Sequence, residues 1–215
     1  MGKVSDVISL ILNLFAAFVT FGSIIKFFIK KGDANMQVKK SRCFVFFTVD
    51  SNLLAAVVCL VMAYFKLRSL LPFGDGCVPE WAVGLKLVGT TAVMLTLVVV
   101  FTILAPNTEG GLKTLLEGSS LFMHLLTPIV CMVSFVLFDG GSDLSYIWML
   151  PALIPTFIYA VVYYIMVMVV GEERGGWKDF YGFNRGGKWY ITAPVIFAMT
   201  AVLAAAMIFF RNIVN

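Results

Sequence analysis

Six apolar segments dominate this chain, and each is about as long as a helix that crosses a membrane. A helix rises about 1.5 Å per residue and the hydrocarbon core is about 30 Å thick, so a crossing takes roughly 20 apolar residues. The segments that qualify are residues 7–29, 43–65, 82–105, 119–138, 146–170 and 190–210. The stretches between them are too short for a soluble domain. We therefore expect an all-α fold, a polytopic integral membrane bundle of about six transmembrane helices, forming one domain over residues 1–215.

The composition supports the same class. Sixty per cent of the residues are hydrophobic and 13% are charged, and the mean hydropathy is +0.96. Soluble domains carry about twice that share of charged residues. The net charge of +4 needs no nucleic-acid partner, because the distribution of basic residues among the loops explains it.

That distribution also predicts the orientation. The loops after the first, third and fifth segments, with their flanks, hold eleven of the 16 Lys and Arg residues. Basic loops of multi-pass proteins stay in the cytoplasm. We therefore expect the basic loops to be cytoplasmic and both termini to lie on the opposite side.

Several kinds of site are excluded by what the chain lacks. It has one histidine and no cluster of acidic residues, so a metal site of the zinc-hydrolase type is not expected. No glycine-rich phosphate loop or dinucleotide motif is present, and we expect no cofactor. The cysteines form no CxxC pair and are interpreted as small buried side chains; they are Cys43, Cys59, Cys77 and Cys131.

The most informative polar residues are Thr48 and His124. Each lies in an apolar segment, six or seven residues beyond the last charge of the preceding loop. Segments 2 and 4 cross the membrane in the same direction, so the hydroxyl and the imidazole should reach a similar depth from the same face. A hydroxyl beside an imidazole, away from bulk water, is the minimal arrangement for nucleophilic catalysis. We therefore expect the two side chains to face one pocket.

Further polar residues surround Thr48 on segment 2. Ser51 and Asn52 lie three and four positions after Thr48, so the three share a helical face. They are candidates for the pocket or for an oxyanion donor, or alternatively hydrogen-bond between helices. Asp50 points to a different face of the helix and is a further candidate for the pocket. Because Lys86 lies near the end of its segment, Asp50 and His124 are expected to be the intramembrane ionisable residues.

Prolines mark two places where a helix should be irregular. Pro128 lacks the amide that would bond the carbonyl of His124, so the helix should kink beside the imidazole. On segment 5, Pro151 and Pro155 share a four-residue repeat with Tyr159 and Tyr163. That stripe could line a pocket, or it could simply pack against a neighbouring helix.

Four features give the chain a family resemblance. They are Phe47-Thr-Val-Asp-Ser-Asn-Leu53, Met123-His-Leu-Leu-Thr-Pro128 followed by Leu137-Phe138, the stripe Trp148…Pro155…Tyr159…Tyr163, and Phe180-Tyr-Gly-Phe183. In their order and spacing, and in span count and length, the chain resembles the FAR-17a/AIG1-like membrane proteins (ADTRP/Pr6Pr-type).

The resemblance implies a specific activity. Animal members of that family are threonine hydrolases that cleave fatty acid esters of hydroxy fatty acids. Their nucleophile and histidine match Thr48 and His124 here. The expected function is thus a membrane-embedded hydrolase of lipid esters, whose partner is a membrane lipid or acyl-chain substrate.

Two other functions stay open. A small-solute or proton-coupled transporter or sensor would use Asp50 and His124 as its polar site within the membrane. A non-catalytic membrane scaffold would pack Thr48 and His124 without any cavity.

Overall fold

The computed structural model is a bundle of helices and describes residues 2–29, 40–72, 77–141 and 143–214. Six helices of this part are long and apolar enough to cross a membrane. The bundle comprises α1 (Lys3–Ile29), α2 (Phe47–Leu70), α3 (Glu80–Asn107), the short α4 (Gly111–Leu115), α5 (Ser119–Phe138), α6 (Tyr146–Val170) and α7 (Trp189–Val214). The described residues contain no strand. The all-α fold class is therefore confirmed, and the six long helices fit a multi-pass integral membrane protein.

The helix at the centre of the bundle is α3. It contacts α2, α5, α6 and α7, while α1 packs against α2 and α5. The α3 segment Glu80–Val99 is buried along most of its length. The outer helices instead expose large apolar side chains, such as Phe18, Phe157 and Val202. This apolar exterior suits lipid rather than water.

Close helix contacts depend on small residues. A side chain at Gly89 on α3 would meet Val58 and the backbone of Ala55 on α2, and one at Gly84 would meet the ring of Trp148. Small residues let membrane helices approach closely, because lipid supplies no hydrophobic drive between them.

The expected irregularity at Pro128 is a widening of α5. The amide of Thr127 bonds the carbonyl of Phe122, five residues back, so residues 122–126 form a π-helical turn that includes His124. A π-helical turn redirects side chains relative to an α-helix and is frequent at functional sites.

The two ends of the bundle differ in charge. The end with the loops after α1, α3 and α6 holds most of the basic residues and is called the basic end below. Residues 30–39 of the first basic loop lie outside the described part of the chain. Thr48 lies in the first turn of α2 at the basic end, and the segment between α6 and α7 folds over the same end.

Candidate active site

An apolar cavity lies inside the basic end of the bundle. About 680 Å³ of empty space, part of it open to the surroundings of the bundle, lies between α2, α3, α6, α7 and the segment after α6. Its lining includes no charged side chain. The hydroxyl-bearing residues on its wall are Thr48, Thr96, Thr156, Thr192, Tyr159, Tyr163 and Tyr181. An apolar cavity with a few convergent polar groups is the usual form of a small-ligand site.

Thr48 lies on the wall of this cavity. It is the second residue of α2 and is 5% exposed. Phe46, which precedes the helix, has an extended backbone and supplies no side-chain cap. The start of α2 therefore depends on a partner from elsewhere in the chain to satisfy its first amides.

That partner is Tyr181, in the segment between α6 and α7. Its phenol oxygen accepts a hydrogen bond from the Phe47 amide at 3.1 Å. Burial raises the pKa of Tyr181 to about 12, although hydrogen bonds from the Thr48 side chain and from the amides of Phe47 and Thr48 act in the opposite direction. The phenol is therefore neutral at physiological pH. The sequence does not mark Tyr181 as a site residue, and its one signal is its place in the Phe180–Phe183 motif.

Two more tyrosines join α6 to this arrangement. The Tyr159 hydroxyl donates to the Val45 carbonyl at 2.7 Å, just before α2. The Tyr163 hydroxyl donates to Asp179 at 3.0 Å and accepts from the Tyr181 amide at 3.2 Å. Both residues line the cavity, as the stripe on segment 5 suggested, and they also hold the Tyr181 segment in place.

His124 lies on α5, beside α2. Its ring nitrogen Nδ1 is 2.7 Å from the carbonyl oxygen of Leu115 at the end of α4. A carbonyl only accepts, so Nδ1 carries the proton and Nε2 has a free lone pair. Sequence analysis had identified no group that orients the histidine. The Leu115 carbonyl does so, and because it is a backbone group no side-chain pattern reveals it.

The structure does not bring His124 into the cavity. The residue is 3% exposed and is not part of the cavity wall. Within the described part of the chain, no hydrogen bond joins the side chains of Thr48 and His124. The wall of the cavity that carries Thr48 therefore does not include His124, whose imidazole is instead bonded to the Leu115 carbonyl.

Asn52 connects the two helices that carry these residues. Its Nδ2 donates to the Thr48 carbonyl at 2.7 Å and to the Met123 carbonyl at 3.0 Å. Both hydrogens of the amide are thus in use, and Asn52 is not part of the cavity wall. Asn52 therefore positions α2 against α5 and has no hydrogen left to donate to an oxyanion.

The other two candidate site residues of α2, Ser51 and Asp50, also stay outside the cavity wall. The Ser51 hydroxyl bonds the Thr96 hydroxyl at 2.9 Å and the Thr48 carbonyl at 3.2 Å. Asp50 is half-buried on another face of α2. Ser51 therefore serves as a contact between helices, with Thr96 as its partner on the cavity wall.

A second polar cluster occupies the bundle interior away from the cavity. Lys86 is fully buried, so the expectation that it lies outside the polar interior is wrong. Its Nζ lies 2.6 Å from Asn13 Oδ1, 2.8 Å from Cys59 Sγ and 3.9 Å from the Asp139 carboxylate. Asp139 also accepts hydrogen bonds from Ser9, Asn13 and Ser134. A charged group persists inside such a bundle because these partners replace water.

No set of three or more potential metal ligands occurs among the described residues. Comparison with known proteins adds no further assignment: the chain matches no model of a protein family, no curated protein and no solved structure.

Proposed function

We propose that this protein is a membrane-embedded hydrolase that cleaves a lipid ester with Thr48 as its nucleophile and His124 as its base. The observation that carries the proposal is the position of Thr48 on the wall of a largely apolar cavity without charged side chains. Such a cavity suits an acyl chain.

The tautomer of His124 supports its role as the base. The bond from Nδ1 to the Leu115 carbonyl leaves Nε2 ready to accept a proton. For catalysis, Nε2 has to reach the Thr48 hydroxyl directly or through one water. Catalytic hydrogen bonds often form only when substrate is bound, and Asn52 already holds the two helices together.

The reaction has two steps. The Thr48 oxygen attacks the ester carbonyl while His124 takes its proton, and the resulting tetrahedral intermediate expels an alkoxide that receives this proton. Water, deprotonated by His124, then attacks the acyl-threonine; the bond between the acyl carbon and the Thr48 oxygen breaks, His124 returns the proton to that oxygen, and the fatty acid is released. The products are one alcohol and one acid, and Thr48 and His124 return to their starting states.

The proposal includes the sidedness of the reaction. With the basic loops in the cytoplasm, Thr48 and the cavity belong to the cytoplasmic half of the bilayer. The substrate then enters from the cytoplasmic leaflet.

The proposal is tested with a long-chain alkyl fluorophosphonate, which reacts with activated hydroxyls. The purified wild-type protein should be labelled on Thr48, and it should hydrolyse a long-chain ester. Thr48→Ala should abolish both reactions. Thr192→Ala is the matched control, because it removes a threonine from the same cavity wall. Wild-type labelling of a folded Thr48→Ala protein would refute the assignment.

Transport of protons or of a small solute is the second candidate. The buried contacts of Lys86 with Asp139 and Asn13 favour it, because ionisable residues inside membrane bundles often line ion pathways. Transport predicts uptake into proteoliposomes that Lys86→Met or Asp50→Asn abolishes, while Thr48→Ala leaves it unchanged.

A further inference from the structure

The Tyr181 hydroxyl occupies a position that suits a carbonyl oxygen of a ligand. It lies against the first amides of α2, on the wall of the apolar cavity and beside Thr48. The first amides of a helix lack acceptors within the helix, and the helix dipole places partial positive charge there. An oxygen with partial negative charge is therefore favoured at this point.

A second polar group on the same cavity wall has no hydrogen-bond partner. The Thr156 hydroxyl is buried, with the residue 3% exposed, and it makes no hydrogen bond. Leaving a buried hydroxyl without a hydrogen-bond partner is unfavourable, so a ligand that bonds it is favoured there. Thr156 lies on α6 and the Tyr181 contact is on α2, so two separate elements present polar groups to one apolar space.

We propose that the N-terminus of α2, through the amides of Phe47 and Thr48, binds the carbonyl oxygen of an acyl-chain ligand, and that the Tyr181 hydroxyl occupies this site when no ligand is bound. The inference builds on the proposed function, for which the same amides form the oxyanion site. The ligand is a neutral long-chain carbonyl compound, because no charged side chain lines the cavity.

The chemistry of the phenol allows this exchange. Tyr181 is neutral, so a neutral carbonyl replaces it without moving charge out of the site. The segment between α6 and α7, which carries Tyr181, makes most of its other contacts away from α2. Asp179 accepts hydrogen bonds from the amides of Phe183 and Asn184 and from the Tyr163 hydroxyl. The segment thus keeps these bonds when the phenol leaves α2.

The backbone of α2 permits a direct test of the amide. Phe47 is the first residue of the helix, where proline is favoured because this amide has no partner within the helix. Phe46 has φ −98° and ψ 126°, which a following proline accepts. Phe47→Pro therefore removes one hydrogen-bond donor and keeps the helix. Phe47→Ala is the matched control, since it also loses the ring but keeps the amide.

The experiment measures carbonyl-dependent binding without any reaction. Protein carrying Thr48→Ala is placed in lipid nanodiscs, and 2-heptadecanone and heptadecane compete with a photoreactive alkyl diazirine for labelling of cavity residues. One hydrogen bond is worth about 0.5–1.5 kcal/mol, or about 2- to 12-fold in affinity. We expect the ketone to compete better than the alkane by about that factor.

The variants then separate the amide from the phenol. Phe47→Pro should abolish the preference for the ketone, and Phe47→Ala should keep it. Tyr181→Phe should increase the apparent affinity for the ketone by about threefold, because the competing oxygen is gone. Tyr190→Phe, which removes an exposed phenol, should change nothing.

Each result decides the inference independently of the proposed hydrolysis. Equal competition by ketone and alkane, or an unchanged preference in folded Phe47→Pro protein, overturns it. A weaker preference for the ketone in Tyr181→Phe protein also overturns the inference. A ketone preference in a protein that never reacts with esters keeps this site and refutes the hydrolase. Labelling of Thr48 by the fluorophosphonate without a ketone preference supports the hydrolase and refutes the carbonyl site.

Discussion

Lys86 Nζ lies 2.8 Å from the Sγ atom of Cys59, in the interior of a helix bundle with an apolar exterior. The same nitrogen bonds Asn13 at 2.6 Å and lies 3.9 Å from Asp139. Lys86, Cys59, Asn13 and Asp139 are fully buried. The cluster therefore joins α1, α2, α3 and the end of α5 through polar contacts that exclude water.

Breaking this cluster should destabilise the fold. Lys86→Met leaves the Asp139 carboxylate without its cation, and removing one partner of a buried charge pair costs about 3–5 kcal/mol. The free energy of unfolding in detergent should fall by that amount. Asp139→Asn added to Lys86→Met should recover part of the loss, because the carboxylate that Lys86 faces is then neutral as well. A double variant as unstable as the sum of both single variants would contradict the pairing.

Steric contact between α3 and α6 supplies a second prediction. A methyl group at Gly84 would overlap the indole ring of Trp148, whose Nε1 donates to Glu80 at 2.8 Å. Gly84→Ala should destabilise the protein by about 1–3 kcal/mol, as overpacking does. Gly22→Ala is the control, because a methyl group there has no neighbour within 4 Å. The midpoint of thermal unfolding is measured for both variants. Equal midpoints would show that the contact between Gly84 and Trp148 is not tight.

The role of His124 can be separated from its packing. In His124→Gln the new amide can still donate to the Leu115 carbonyl, but it cannot accept a proton at neutral pH. If His124 is a general base, ester hydrolysis should fall about 10²- to 10⁴-fold in kcat, with little change in KM and in thermal midpoint. His124→Ala should lose as much activity. A Gln variant that retains wild-type kcat would assign the histidine a structural role only.

The orientation makes a labelling prediction. Cys77 is exposed at the end of the bundle opposite the basic end, and Lys178 is exposed between α6 and α7. In intact cells, a membrane-impermeant maleimide should label the native Cys77. Lys178→Cys in a Cys77→Ser background should be labelled only after permeabilisation, because basic loops are retained in the cytoplasm. The opposite labelling pattern would show that the protein has the inverse orientation and that the cavity lies in the outer leaflet.

The number, length and order of the six long apolar helices follow directly from the sequence. A bilayer requires each crossing backbone to satisfy its own hydrogen bonds, so about 20 consecutive apolar residues specify a helix without reference to the rest of the chain. The observed spans begin and end within a few residues of the expected ones. The fold class needed no tertiary information.

Some residues of the candidate site are recognisable in the sequence, and others become evident only in the folded structure. Thr48, Tyr159 and Tyr163 are recognisable as polar groups in apolar segments, and the folded chain places them on one cavity wall. Tyr181 is far from them in the sequence and reaches α2 only because its segment folds back over α6. The Leu115 carbonyl that sets the tautomer of His124 belongs to the backbone, which every residue has.

Sequence by itself therefore determined the helices, because the bilayer acts on each segment separately. Only the tertiary structure decided which polar groups meet. It placed Lys86 in the interior, engaged both hydrogens of Asn52, and held His124 away from the cavity that Thr48 faces. Those outcomes depend on how helices rotate and approach one another. Rotation is set by packing and by interhelical hydrogen bonds between distant residues, which hydropathy along one segment does not encode.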